Sequence, residues 1–186
     1  MAQKERDVAA WARAGQEQTL PGWEELPSIP LYMDQVLYYC NESLAFFQGE
    51  MEGGALTSSM VNNYVKNGVL PHPEKKKYGK EHLATLLMLC LLKQVLPLPD
   101  IATLLQGKPL DRETYEAFLQ AHTQAVGETC RELLDRQDRR EDLRRVALLL
   151  AAQANAKRAA AQEILSLLGE EAPKEAKEKK KKSRQE

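Results

Sequence analysis

The chain has 186 residues, which is enough for one substantial domain or for a small domain with an added helical part. Its hydrophobic fraction of 43% and charged fraction of 28% permit a folded core together with solvated helices. The net charge of -1 does not by itself select nucleic acid as a partner. The charges are unevenly distributed: residues 1–55 carry nine acidic and three basic side chains, whereas residues 57–82 carry five lysines and two glutamates.

The N-terminal part is predicted to form helices separated by clear breaks. Residues 1–15 favour a short polar helix, and the prolines of "TLPGWEELPSIP" end its regularity. Apolar side chains at helical spacing predict a helix with a wide buried face over residues 31–47, ended by "GEMEGG". The stretch "TSSMVNNYVKNGVLP" predicts another helix over residues 57–67, which Gly68 and Pro71 terminate.

The remaining elements are also predicted to be helical, so the fold is expected to be mainly α. Residues 80–95 are nearly all apolar and predict a buried helix, and residues 99–105 predict a short one. Helical periodicity continues over residues 111–135 and 139–169, and a tail over 171–186 without large apolar residues is expected to be disordered. The last helix has apolar residues at heptad spacing, with Lys157 as the one polar member of this seam: Leu143, Ala147, Leu150, Ala154, Lys157, Ala161, Ile164 and Leu168.

The helix over residues 57–67 has one apolar face and one polar face without acidic groups. The apolar face comprises Leu56, Met60, Val61, Tyr64 and Val65, and the polar face comprises Ser58, Ser59, Asn62, Asn63 and Lys66. Asn can bond two edge atoms of adenine, and Thr57 as N-cap leaves first-turn amides that attract phosphate. The polar face is therefore predicted to contact DNA. The alternative is a frayed surface segment, because Ser and Asn are poor helix formers.

A lysine-rich loop follows this helix directly. It gathers four lysines around one aromatic residue: Lys75, Lys76, Lys77, Tyr78 and Lys80. Clustered cations beside a DNA-reading helix would neutralise phosphates and supply sequence-independent affinity. The alternative is a solvated loop that Tyr78 anchors by packing.

The stretch "VNNYVKNGVLPHPEKKKYGKEHLATLLMLCLLKQVLPLPDIATLL" resembles the winged helix-turn-helix of MerR-type transcription regulators. In that family a recognition helix ends in an aromatic residue and a Gly-Leu-Leu-like turn. A basic wing, an apolar helix and a short helix with an acidic-Ile pair follow. The counterparts here are Tyr64, Gly68-Val69-Leu70, Lys76-Lys77-Tyr78, residues 80–95 and Asp100-Ile101.

Four segments, "LPSIPLYMDQV", "NNYVKN", "KKKYGKEH" and "LLKQVLPLPDI", are more closely similar to an uncharacterised bacterial family that is described as a domain of unknown function and grouped with MerR-like proteins. The resemblance covers roughly residues 26–106. It implies a winged helix-turn-helix domain over residues 26–107, after an N-terminal extension over 1–25 and before a helical region over 108–170. The implied function is transcriptional regulation, with double-stranded DNA as the partner.

The chain also departs from the MerR pattern. Asn62 and Asn63 stand where that pattern has Arg and Tyr, and the wing contains lysines but no arginine. The pattern's base contacts therefore do not transfer to this chain, and no effector-binding part has a counterpart here, so the effector ligand is open. A protein-interaction module that keeps the fold without binding DNA is the alternative function.

The C-terminal helices allow two arrangements. In MerR-like proteins a long helix after the DNA-binding domain forms an antiparallel coiled coil across a dimer, and the seam from Leu143 to Leu168 fits that role. Because the helix over 111–135 precedes it, the two helices could instead form a hairpin within one chain. We expect a homodimer.

Catalysis and cofactor binding are not expected. His72, His82 and His122 have no metal-site spacing, Cys90 lies in an apolar run, and no GxGxxG, GxxxxGK[ST] or GxSxG motif occurs. The three cysteines are scattered, the N-terminus has no apolar signal region, and the longest apolar run is about half the roughly 20 residues of a membrane span. The sequence predicts a soluble, cytoplasmic protein without a membrane partner.

Overall fold

The computed structural model describes residues 7–48, 55–105, 110–137 and 143–182, and within these ranges the chain is mainly helical, as predicted. Backbone pairing there is otherwise confined to two isolated bridges, Leu31 with Tyr78 and Glu74 with Lys77. A 3₁₀ turn occupies Trp23–Glu25. The helices are α1 (Val8–Glu17), α2 (Met33–Gln48), α3 (Ser58–Lys66), α4 (Lys80–Leu92), α5 (Leu98–Leu105), α6 (Arg112–Gln137) and α7 (Leu143–Lys182).

The C-terminal segment differs from the prediction. Disorder was expected over residues 171–186, but α7 continues to Lys182. Apart from Pro173, which removes one helix hydrogen bond, the continuation is rich in Ala, Glu and Lys, which have high helix propensity, and it extends an existing helix. Residues 183–186 lie outside the described residues, as do residues 1–6 of the predicted first helix and 138–142 before α7.

Helix α4 is the centre of the core. The eight consecutive residues from His82 to Leu89 are buried, because the helix is apolar on every side. Its neighbours include α2 and α6, each of which packs on it directly. The buried stripe of α2 consists of Val36, Cys40 and Leu44, one helical turn apart.

The start of α3 is fixed to α2 by one amide side chain. The Asn41 side chain donates from Nδ2 to the Leu56 carbonyl at 3.1 Å, and its Oδ1 accepts from the Leu56 amide at 2.7 Å. Leu56 itself is buried. This reciprocal pair sets where the chain enters α3, and hence the orientation of its polar face.

The segment before α2 is fastened to the N-terminal turn of α6. The buried Tyr115 hydroxyl donates to the Pro21 carbonyl at 2.7 Å, and the Trp23 amide donates to Glu116 Oε1 at 3.0 Å. Arg112 and Glu24 form an ion pair at 2.5 Å across the same junction. Helix α1, which precedes this segment, packs along α6 as well.

We predict that Tyr115→Phe lowers the free energy of unfolding by about 1–2 kcal/mol, because the Pro21 carbonyl loses its buried donor while the ring remains in place. Urea denaturation measures the change. Tyr38→Phe is the matched control, since the Tyr38 side chain is 71% exposed, and it should change stability by less than about 0.5 kcal/mol. Equal effects of the two variants would contradict this account of the junction.

Candidate functional site

Helix α3 has the two faces that its sequence predicts. Val61 and Tyr64 are buried, and Met60 and Val65 are partly buried. The five residues of the polar face are all exposed: Ser58, Ser59, Asn62, Asn63 and Lys66. No acidic side chain belongs to the helix, so its solvent face offers short hydrogen-bonding groups and one cation.

Both ends of α3 are capped from within the chain. Thr57 Oγ1 accepts from the Met60 amide at 3.3 Å. The amides of Ser58 and Ser59 lie in the first turn, where a backbone amide has no carbonyl partner within the helix. At the other end, Asn67 Nδ2 donates to the Asn63 carbonyl at 2.7 Å and to Asn63 Oδ1 at 3.0 Å. The side chain of Asn63 is therefore oriented by Asn67, a residue that the sequence did not single out.

The lysine loop is a hairpin with a two-residue turn. The Lys77 amide donates to the Glu74 carbonyl at 2.9 Å, and these two residues form an isolated bridge. Between them, Lys75 and Lys76 have φ angles of 49° and 65°, so both central residues are left-handed, as a type I′ turn requires. Both lysines are exposed at the tip. Asn-Gly is the favoured pair for this geometry, whereas lysine in a left-handed conformation costs about 1–2 kcal/mol.

Tyr78 was predicted as a DNA contact, and the structure corrects this assignment. Its side chain is 4% exposed, so the ring packs in the core and does not present a face to a ligand. The Tyr78 amide and carbonyl form reciprocal 2.9 Å hydrogen bonds with Leu31, and its ring packs edge-on against His82 at 5.5 Å. The alternative reading from the sequence, a packing anchor for the loop, describes it correctly. Burial holds the pKa of the phenol above its usual value.

The other two lysines of the loop have partners within the chain. The Lys77 ammonium lies 5.0 Å from the centre of the Tyr32 ring and is partly buried. The Lys80 ammonium lies 3.5 Å from Glu24 and 5.9 Å from the Trp23 ring, and its side chain is 22% exposed. Lys80 therefore belongs to the junction before α2, and only the tip lysines project without such neighbours among the described residues.

A further cation adjoins α3, and sequence reasoning missed it. The exposed Lys93, which caps the C-terminus of α4, lies with its ammonium 5.5 Å from the Tyr64 ring. Burial, followed by the neighbouring Cys90, raises the pKa of the Tyr64 phenol to about 12. The sequence around Lys93 does not indicate this contact, because Tyr64 lies almost thirty positions earlier in the chain.

The residues weighed for other chemistry have structural roles. His82 Nδ1 accepts from the Gly79 amide at 3.1 Å and thereby caps the start of α4. Burial raises the pKa of the Cys90 thiol to about 11, so this thiol is protonated at neutral pH. Within the described ranges, no cluster of His, Cys, Asp or Glu has the geometry of a metal site, and no helix is both long and apolar enough to cross a membrane.

Comparison with known proteins identifies a family over the segment that carries these features. Residues 21–123 match the profile of the family described as Domain of unknown function (DUF1836), which includes α2, α3, the hairpin, α4 and α5. Neither the curated proteins nor the solved structures contain a match to the chain. Because the match spans more than half of the 186 residues, the protein belongs to this DUF1836 family.

Proposed function

We propose that this protein is a cytoplasmic, sequence-specific DNA-binding transcription regulator with a MerR-like winged helix-turn-helix arrangement. In this arrangement α2 and α3 form the helix-turn-helix, the hairpin over Glu74–Lys77 is a minimal wing, and α4 supports both. Helix α3 enters the major groove, and the wing contacts the phosphates beside it.

The observation that carries the proposal is the pair of lysines at the tip of the wing. Lys75 and Lys76 both occupy left-handed positions, which are unfavourable for lysine and ideal for Asn-Gly. Backbone strain of this kind concentrates at functional sites, where the side chain is needed more than the stability. Two exposed ammonium groups at a projecting turn are suited to bind a polyanionic backbone.

The composition of α3 supports the same partner. Its exposed Asn62 amide can bond an adenine edge in two places, and Ser58 and Ser59 can donate or accept. The first-turn amides suit a phosphate oxygen. The hydrogen bond from Asn67 already orients the Asn63 side chain, so less conformational entropy is lost when Asn63 contacts a base edge.

We further propose that α7 joins two copies of the chain. Its packing within the chain is mainly against α5, where Leu165 joins the buried core and Gln162 donates a 3.2 Å hydrogen bond to Asp100. The main packing partners of α6 are α1 and α4, which supports a dimer contact of α7 over a hairpin of α6 with α7. The heptad seam is exposed at both ends, at 61% for Leu143, 59% for Ile164 and 46% for Leu168.

An antiparallel pair of α7 helices gives the seam complementary layers. The seam residues are symmetric about the point between Asn155 and Ala156, so Ala147 meets Ile164 of the partner subunit and Leu150 meets the partner's Ala161. Each of these two layers pairs a large residue with a small one. A parallel pair would bring Lys157 against Lys157 of the partner subunit, and the two ammonium groups would repel each other.

The rival function is a protein-interaction module, and one observation favours it. Ile29, Tyr32 and Tyr38 are exposed at 70%, 54% and 71%, around the start of α2 and within an acidic part of the chain. Exposed apolar side chains close in sequence are a feature of protein-binding surfaces. A folded protein that does not bind duplex DNA at low salt would favour this second function.

The wing can be tested with a variant that removes charge and improves the turn. We predict that Lys75→Asn/Lys76→Gly raises the free energy of unfolding by about 1 kcal/mol, because both residues tolerate a left-handed backbone. The same variant should weaken binding to random duplex DNA and lower the slope of log Kobs against log salt by about 1 per lysine in each subunit. Fluorescence anisotropy between 50 and 300 mM salt measures the slope.

The control for the wing variant removes two cations elsewhere. Arg131→Gln/Arg145→Gln takes the same charge from exposed positions on α6 and α7 and should leave the slope nearly unchanged. Equal slopes for the wing variant and the unmodified protein would exclude the wing as a phosphate contact. Because the wing variant is expected to be the more stable protein, its weaker binding could not be attributed to unfolding.

Sequence preference is predicted to depend on Asn62. After selection of preferred sites from a random duplex library, Asn62→Ala should lose about 1–3 kcal/mol of discrimination at one base pair while keeping its affinity for random DNA. Asn67→Ala should give a smaller loss, because it only releases the Asn63 side chain. A uniform loss over all sequences would mean that α3 contacts the backbone alone.

The α7 pairing predicts a specific response to charge. Ile164→Glu/Leu168→Glu should shift the protein from dimer to monomer at micromolar concentration, because two carboxylates would have to be desolvated in each seam. Leu148→Glu/Leu149→Glu is the control, since these exposed leucines lie on α7 outside the seam. Sedimentation equilibrium measures both, and equal dissociation of the two variants would contradict the heptad seam.

A further inference from the structure

A small apolar pocket lies away from α3 and the wing, between α1, the end of α2 and the second half of α6. Its volume is 270 Å³, and aromatic rings form much of its lining. The rings belong to Trp11 of α1, to Phe46 and Phe47 of α2, and to His122 of α6. None of these residues has a part in the proposed DNA-binding surface.

The four rings form a connected set. Trp11 stacks on Phe46 with ring centres 5.4 Å apart and planes at 23°, and Phe47 meets Phe46 edge-on at 5.4 Å. Phe47 also meets His122 edge-on at 4.8 Å. The lining therefore contains both stacked and edge-on ring pairs, which are the two geometries in which aromatic rings attract each other.

The lining carries no charge at neutral pH. Burial lowers the pKa of His122, so its imidazole is neutral, and burial raises the pKa of the Cys130 thiol, so it stays protonated. The Thr129 hydroxyl is already used, because it donates to the Ala125 carbonyl at 2.8 Å. No Asp, Glu, Lys or Arg side chain belongs to the lining. A charged ligand would therefore be desolvated here without a compensating partner.

A glycine within α1 permits this close arrangement. A Cβ added at Gly15 would lie 2.7 Å from Cys130 Sγ and 2.9 Å from Phe46 Cζ, so any side chain would force α1 away from α2 and α6. Glycine inside a helix costs roughly 0.5–1 kcal/mol relative to alanine. The chain thus keeps a less stable α1 at the position where that helix approaches Phe46 and Cys130 most closely.

We propose that this pocket binds a small, uncharged, planar aromatic molecule with one or two fused rings. Its volume is slightly below the roughly 300–1,000 Å³ of drug-sized ligand sites, which limits the occupant to this size. The Trp11 side chain is 50% exposed, so it stands at the open side and can stack on a ligand that enters. The proposal is independent of DNA binding, since no wing or α3 residue takes part.

The test uses the full-length protein and indole as the probe. Saturation-transfer NMR and calorimetry should give a Kd on the order of 0.1–1 mM for indole, as befits so small a ligand. The charged analogues tryptamine and indole-3-carboxylate should bind at least 10-fold more weakly. Equal affinity for the charged analogues, or no binding of indole at 5 mM, would overturn the proposal.

Two variants locate the binding. Ala125→Phe fills the pocket and should weaken indole binding at least 10-fold, while Ala117→Phe, at an exposed position of α6 outside the lining, should not change it. Trp11→Ala removes the exposed stacking face and should weaken binding about 5-fold or more. Circular dichroism verifies that each variant is folded.

Two results would refute the assignment of the site. The first is unchanged affinity in both Ala125→Phe and Trp11→Ala, which would mean that indole binds elsewhere. The second is indole binding that weakens as protein concentration rises, which would mean that a side chain of a second copy occupies the pocket. Retention of indole binding by Lys75→Asn/Lys76→Gly is the expected result if the pocket and the wing are separate sites.

Discussion

The fold depends on the need to cover α4 on every side. A helix with eight consecutive buried residues cannot lie on a surface, so other elements must enclose it. Helices α2 and α6 pack on it, and the hairpin base reaches its first turn through the contact of Tyr78 with His82. The position of α3, through α2, and the position of the lysine turn, through Tyr78, therefore both depend on packing against α4.

Helix order and the faces of α3 could be predicted because both are local. Apolar residues at a spacing of 3.6 identify a helix whatever it packs against, and the acid-free face of α3 is visible as soon as that period is applied. Helix ends were less accurate: α4 stops at Leu92 rather than at residue 95. The error arises because the residues after it, Lys93 to Leu96, continue with turn-type hydrogen bonds that the periodicity does not distinguish from a helix.

Long-range contacts could not be predicted in the same way. Lys80 was grouped with its neighbours in sequence, but its partner Glu24 lies 56 positions earlier. The aromatic pocket joins Trp11, Phe46 and His122 from three helices, and nothing in any one helix indicates that these rings meet. Lys75 and Lys76 were predicted as cations but not as left-handed residues, since no sequence pattern based on lysine favours that backbone. What escaped prediction was the tertiary packing that decides which of several cations remains exposed.

Tyr78 explains how the strained turn can exist in a chain with so little β-structure. Two left-handed lysines cost about 2–4 kcal/mol together, and an isolated two-residue turn would not withstand that cost. The reciprocal hydrogen bonds with Leu31 contribute about 1 kcal/mol each, and burial of the tyrosine ring contributes about 2–3 kcal/mol, so the anchor offsets the strain. The residue that was wrongly expected to contact DNA therefore contributes to the proposed function in another way. Its buried ring lies against His82 of α4 and anchors the end of the hairpin next to Lys77, so that the lysine turn projects from a fixed position.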